Sequence, residues 1–125
     1  MTMPDLSYVL LYVDNPAASA AFYGDLLGQQ PVELSPTFAL FVIKPGLKLG
    51  LWSRHTVEPA AAGARGGAVE LALTVEDRAA VDATYAEWKK RGLPILQEPE
   101  LMDFGYTFTA ADPDGHRLRV FVLIG

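Results

Sequence analysis

Cysteine is absent from all 125 residues, so disulfides, thiolate metal sites and a cysteine nucleophile are excluded together. Histidine is nearly absent: His55 and His116 are the whole supply, and neither has a second donor at the spacing a metal site needs. Long apolar runs are missing too, since stretches such as 38–43 and 120–124 fall far short of the ~20 residues of a membrane-spanning helix. Clustered positive charge is lacking. Ten Lys and Arg stand against 15 Asp and Glu, a net charge of −5, which disfavours nucleic acid, whose phosphates need a basic face. The opening Met-Thr-Met-Pro-Asp has neither the basic start nor the apolar stretch of an export signal. No Ser-His-Asp order or phosphate-cradling glycine loop is evident. The expectation is a cytoplasmic protein without a cofactor, working on neither membranes nor nucleic acids.

What is present suits one globular domain. Half the residues are hydrophobic and a fifth charged, enough apolar surface to bury a core in a chain of single-domain size. Residues 7–13 read as a strand, and Asp14-Asn15-Pro16 then offers a helix cap with proline in the first turn. The helix runs to about Leu27 with Phe22, Tyr23, Leu26 and Leu27 on its apolar side, and Gly28 stops it. Strand-like runs at 38–43 and 47–52 follow, joined by Lys44-Pro45-Gly46, with a short strand near 30–34. After a Pro/Ala/Gly-rich connector the order returns. Residues 70–75 form a strand, and Glu76-Asp77 opens a helix with Val81, Thr84, Tyr85 and Trp88 at i, i+3, i+4 and i+7. Gly92 and Pro94 end that helix, and strands at 104–110 and 118–123 close the chain around Asp112-Pro113-Asp114-Gly115. A shift of 62 residues puts Tyr23 on Tyr85, and a shift of 69 puts Gly46 on Gly115 and Trp52 on Phe121, as an internal repeat would. The modules span about 6–53 and 69–124, with a connector at about 54–68.

Strand parity separates two kinds of face, because successive side chains point to opposite sides. Val9, Leu11 and Val13 share one face, as do Leu71, Leu73 and Val75, and Leu118, Val120 and Val122; these aliphatic faces should bury against the helices. The mixed faces, with Tyr8, Trp52, Glu70, Arg119 and Phe121, are left to line a ligand site. Trp52 shares its parity with Gly50, whose missing side chain would leave room for a ring.

Val13-Asp14 ahead of a helix carrying Phe22-Tyr23 and Leu27-Gly28, with Asp112-Pro113-Asp114-Gly115 before a final strand, resembles the vicinal oxygen chelate superfamily of glyoxalases, bleomycin resistance proteins and dioxygenases. The resemblance implies an α+β fold: two βαβββ modules forming a cupped mixed sheet, helices on its outer face, around a ligand cleft, commonly in a homodimer. It also implies that the metal-ligand positions are Tyr8, Gly50, Glu70 and Arg119. Only Glu70 is a credible ligand, and a guanidinium has no lone pair to give, so no bound metal is expected. Within the superfamily the chain is most similar to phenazine-antibiotic resistance proteins. That likeness rests on Ser35-Pro36-Thr37-Phe38-Ala39-Leu40-Phe41, Leu51-Trp52-Ser53, Asp103-Phe104-Gly105-Tyr106-Thr107-Phe108 and Asp112-Pro113-Asp114-Gly115-His116-Arg117-Leu118-Arg119-Val120.

The expected function is metal-independent binding and sequestration of a planar aromatic small molecule such as a phenazine-like antibiotic. Trp52 would stack on it, with Phe38, Phe41, Phe104, Tyr106 or Phe121 completing the sandwich and Tyr8 and Gly50 lining the site. Glu70 and Arg119 would either pair with each other or hold polar groups of the ligand. The alternative is a metal-dependent lyase, isomerase or dioxygenase of the glyoxalase type with atypical ligands.

Overall fold

Two caps decide where strand gives way to helix. In the computed structural model, which describes residues 3–124, Asn15 is extended and its side chain accepts the Ala18 N–H, with Pro16 opening helix α1 (Pro16–Leu27). Proline's missing amide costs nothing in a first turn, whose N–H groups have no helical partner. Gly28 closes α1 at φ +65°, its N–H on the Gly24 carbonyl, a left-handed position that suits glycine. Asp77 repeats the device for α2 (Arg78–Lys90), accepting the Ala80 N–H at 2.8 Å.

The strands are β1 (Tyr8–Val13), β2 (Glu33–Leu34), β3 (Phe38–Lys44) and β4 (Leu47–Ser53), then β5 (Glu70–Thr74), β6 (Ile95–Met102), β7 (Gly105–Ala111) and β8 (Arg117–Leu123). The chain divides into two units between Ala64 and Arg65, and each unit reads βαβββ. The sheet orders are β1-β4-β3-β2 and β5-β8-β7-β6. In each, the first strand pairs parallel with the last and the other pairings are antiparallel. The α+β class and the mixed sheets are as expected, realised as two open four-stranded sheets.

Each sheet buries one face against its own helix. In the first unit Leu11, Val13, Ala39, Phe41, Leu49 and Leu51 meet the side of α1 that carries Ser19, Ala20 and Tyr23. In the second, Tyr85 and Trp88 set their rings edge-on to Phe108, centroids 5.5 and 5.4 Å away, above Leu118 and Val120. Full burial of such side chains is worth about 1.5–3 kcal/mol each.

Two expectations need correction. The buried side of α1 is Pro16, Ser19, Ala20 and Tyr23, at i, i+3, i+4 and i+7, with Phe22, Leu26 and Leu27 only half-buried; the small Ser19 and Ala20 in the middle of that stripe let the helix lie close to the sheet. Strand β6, which the βαβββ pattern implies, was not placed in the sequence. Pro99 interrupts its pattern, and its pairing with β7 shifts register between Ile95 and Gln97 and again between Gln97 and Glu100. It is an edge strand, where a residue without an N–H is tolerated.

Candidate functional site

The face of the first sheet turned away from α1 is built by parity. Aligned pairs Tyr8 and Lys48, Leu10 and Gly50, and Tyr12 and Trp52 come from β1 and β4, and Phe38, Leu40 and Val42 from β3 lie opposite Trp52, Gly50 and Lys48. Tyr8, Leu10 and Tyr12 are 47%, 42% and 36% exposed. The half-buried Trp52 indole meets Phe38 edge to face, centroids 6.0 Å apart at 86°. The room expected over Gly50 is taken: a Cβ there would stand 2.5 Å from Leu10 Cδ2 and 3.0 Å from Phe38 Cζ. Gly50 thus lets Leu10 and Phe38 lie flat and make an apolar floor. Lys48 Nζ sits 5.2 Å from the Tyr8 ring centroid and donates to Tyr8 Oη at 3.4 Å. Two hollows of this unit, of 570 Å³ and 630 Å³, lie along α1 and residues 28–36.

The corresponding face of the second sheet is polar. Arg119 Nε and Nη2 donate to Glu70 Oε2 and Oε1, both at 3.0 Å, while Nη1 reaches Gln97 Oε1 at 3.0 Å and Thr107 Oγ1 at 3.2 Å. Thr109 donates to the same Gln97 oxygen, and Gln97 Nε2 donates to Glu100 at 2.7 Å. Arg117 Nη1 lies 4.0 Å from Glu70. The Arg119 hydrogen bonds chiefly hold the Glu70 carboxyl below its ordinary value, burial pulling the other way. Phe104 and Phe121 meet edge-on at 6.1 Å, and the Arg119 guanidinium lies 5.9 Å from the Phe104 ring centre.

Of the ten residues singled out in the sequence, Tyr8, Phe38, Gly50 and Trp52 share the first open face, and Glu70, Phe104, Arg119 and Phe121 the second. Phe41 and Tyr106 are corrected. Phe41 is fully buried against α1, its ring 3.8 Å from where a Gly24 Cβ would sit. Tyr106 faces α2, donating to Asp82 at 2.7 Å with Arg78 over its ring. Parity carried the signal in one case: Phe41 is three residues from Phe38 and cannot share its face. Lys48, Gln97, Thr107 and Thr109 were missed. Lys48, Thr107 and Thr109 follow the same alternation, whereas Gln97 was hidden with β6.

The positions that the resemblance assigns to a metal do not fit one. Gly50 has no donor, both Glu70 oxygens accept from Arg119, and the guanidinium beside them would repel a cation. Among the described residues no three His, Cys, Asp or Glu side chains gather in a metal-binding group. His55 Nε2 instead lies 2.7 Å from Asp14 Oδ1 and, with Arg54, holds that carboxyl below its ordinary range. The buried His116 has its backbone N–H on Asp112 Oδ1 at 2.9 Å.

The family model described as Glyoxalase/Bleomycin resistance protein/Dioxygenase superfamily matches residues 5–120. The phenazine antibiotic resistance protein EhpR of Enterobacter agglomerans is 34% identical over 115 residues, 89% of this chain and 86% of that protein. The solution structure of protein ATC0852 from Agrobacterium tumefaciens is 61% identical, with a TM-score of 0.88 over the whole of both chains. A glyoxalase/bleomycin resistance protein/dioxygenase from Nocardioides shares the fold at a TM-score of 0.84 and 24% identity, covering 99% of this chain and 86% of that one.

Proposed function

The chain belongs to the glyoxalase/bleomycin resistance protein/dioxygenase superfamily, and on that footing we propose that it binds a planar aromatic molecule of the phenazine type and protects the cytoplasm by sequestering it. The observation that carries this reading is the open face of the first sheet, where Trp52 and Phe38 meet over an apolar floor beside exposed Tyr8, Leu10 and Tyr12. Flat rings gain on such a surface twice, through apolar area removed from water and through offset or edge contacts worth about 0.5–1.5 kcal/mol each. The phenazine antibiotic resistance relative supports the same ligand class.

Binding on this reading needs no metal. The four positions that would hold one supply a phenol, no side chain, an engaged carboxylate and a cation. Glu70, the carboxylate on the second open face, is committed to Arg119 rather than free to act as a base. Protection then comes from occupancy, one ligand per site. The working form is a homodimer: Leu101, Phe104 and Leu123 are each more than a third exposed, apolar surface of a kind that a second copy covers.

The test is a titration of purified, chelator-treated protein with phenazine, followed by tryptophan fluorescence, with the mass measured by light scattering. Saturable binding to a dimer and recovery of unchanged ligand are expected. Conversion of the ligand, or binding that returns only when a divalent metal is added, would overturn sequestration in favour of enzymatic chemistry.

A further inference from the structure

The two sheets align their first and last strands in the same way, which allows a comparison position by position. Glu70 is aligned with Arg117 in the second, and Tyr8 with Lys48 in the first. Where the second sheet sets a carboxylate beside its cation, the first sets a phenol. Lys48 is half-buried, among Tyr8, Leu10, Leu40 and Val42, none of which carries a negative charge. Its ammonium meets the Tyr8 ring and hydroxyl, and no described carboxylate pairs with it. A cation–π contact holds an ammonium in place without neutralising it.

From this we infer that the molecule bound on the first open face is an aromatic acid whose anionic group is held by Lys48, with Tyr8 positioning the ammonium. The inference rests on the sequestration reading and names the ligand's chemistry more closely. Lys48 and Trp52 lie four residues apart on β4, about 13 Å at the usual rise of a strand. A flat ring system seated on Trp52 and Phe38 extends along the strand toward Lys48 and presents an acid on its far ring to the ammonium. The chain's net charge of −5 does not gather anions from a distance, so this single short-range contact separates an acid from its neutral analogue. Arg119 offers no equivalent, because its Nε, Nη1 and Nη2 are all engaged within its own face.

The experiment compares phenazine-1-carboxylate with phenazine-1-carboxamide, titrated at neutral pH into the wild-type protein and into Lys48→Gln, Lys48→Arg and Tyr8→Glu. The acid is expected to bind the wild type about five- to tenfold more tightly than the amide, the scale of one partly exposed ion pair. Lys48→Gln removes that preference, weakening the acid much more than the amide, whose carbonyl the ammonium can also reach, and Lys48→Arg restores most of it. Tyr8→Glu abolishes it by giving Lys48 an internal partner. Equal binding of acid and amide to the wild type overturns the inference and leaves sequestration standing, as does a preference that survives Lys48→Gln. Binding of neither compound overturns both. The wild-type comparison needs no variant, so a misfolded mutant does not blunt the test.

Discussion

The two sheets are built alike and finished differently. Each has the order first-last-third-second, a parallel closing pair and a helix on one face, yet their open faces differ in chemistry. On the second, Glu70, Arg119, Gln97, Thr107 and Thr109 form a connected polar network in which each nitrogen of the Arg119 guanidinium has an acceptor. On the first, the position aligned with Leu10 is Gly50, where the second sheet has Arg119 aligned with Ala72. Apolar side chains fold into the vacated space. A face whose polar groups satisfy one another has little left with which to recognise a ligand. A face with aromatic surface and one unmatched cation has both area and a point of selection.

The largest test of this contrast uses the two tryptophans. Trp88 is 7% exposed and packs on Phe108, so Trp88→Ala is expected to cost about 3–5 kcal/mol of stability in urea unfolding. Trp52→Ala should leave folding largely intact and weaken phenazine binding by about 1–3 kcal/mol, as loss of an aromatic anchor does. If Trp52→Ala unfolds the protein while the remaining folded fraction binds normally, the first face is core and the contrast fails.

A smaller effect comes from the polar face. The folded-state pKa of Glu70 is depressed from 4.5, so its contribution to stability is present above that value and fades as pH falls through the lower, folded-state one. Glu70→Gln should therefore cost up to about 1 kcal/mol at pH 7, the upper end for a pair in contact with water. The gap between variant and wild type should narrow below pH 4.5. Unfolding curves that run parallel through this range would show that the network does not depend on the carboxylate's charge.

Much of this was legible from alternation alone. Parity put Trp52 with Gly50 and Tyr8, and Glu70 with Arg119, because a pleated strand leaves no choice about which side chains share a face. Parity could not say what fills the space over Gly50, since that depends on rotamers of Leu10 and Phe38 that belong to neighbouring strands. Nor could it find Gln97, whose strand carries a proline and two register shifts and so loses the period that would reveal it. Phe41 and Tyr106 were assigned by residue type, and aromatic character says nothing about which side of a sheet a ring occupies.

The parallel closing pairs have a consequence for the order of assembly. Strands β3 and β4 are joined by a tight turn, and β7 and β8 by a short one, but Tyr8 meets Lys48 across forty residues and Glu70 meets Arg117 across forty-seven. Closing the longer loops carries the greater entropic cost, so the antiparallel hairpins are expected to form first and the parallel pairing last. The contact between Tyr8 and Lys48 then matures only after the transition state, along with any affinity that depends on it. Ligand should act on the escape from the native state rather than on the approach to it. Stopped-flow kinetics are expected to show unfolding slowed by bound phenazine and refolding left at its original rate; acceleration of refolding by ligand would place this closure early instead.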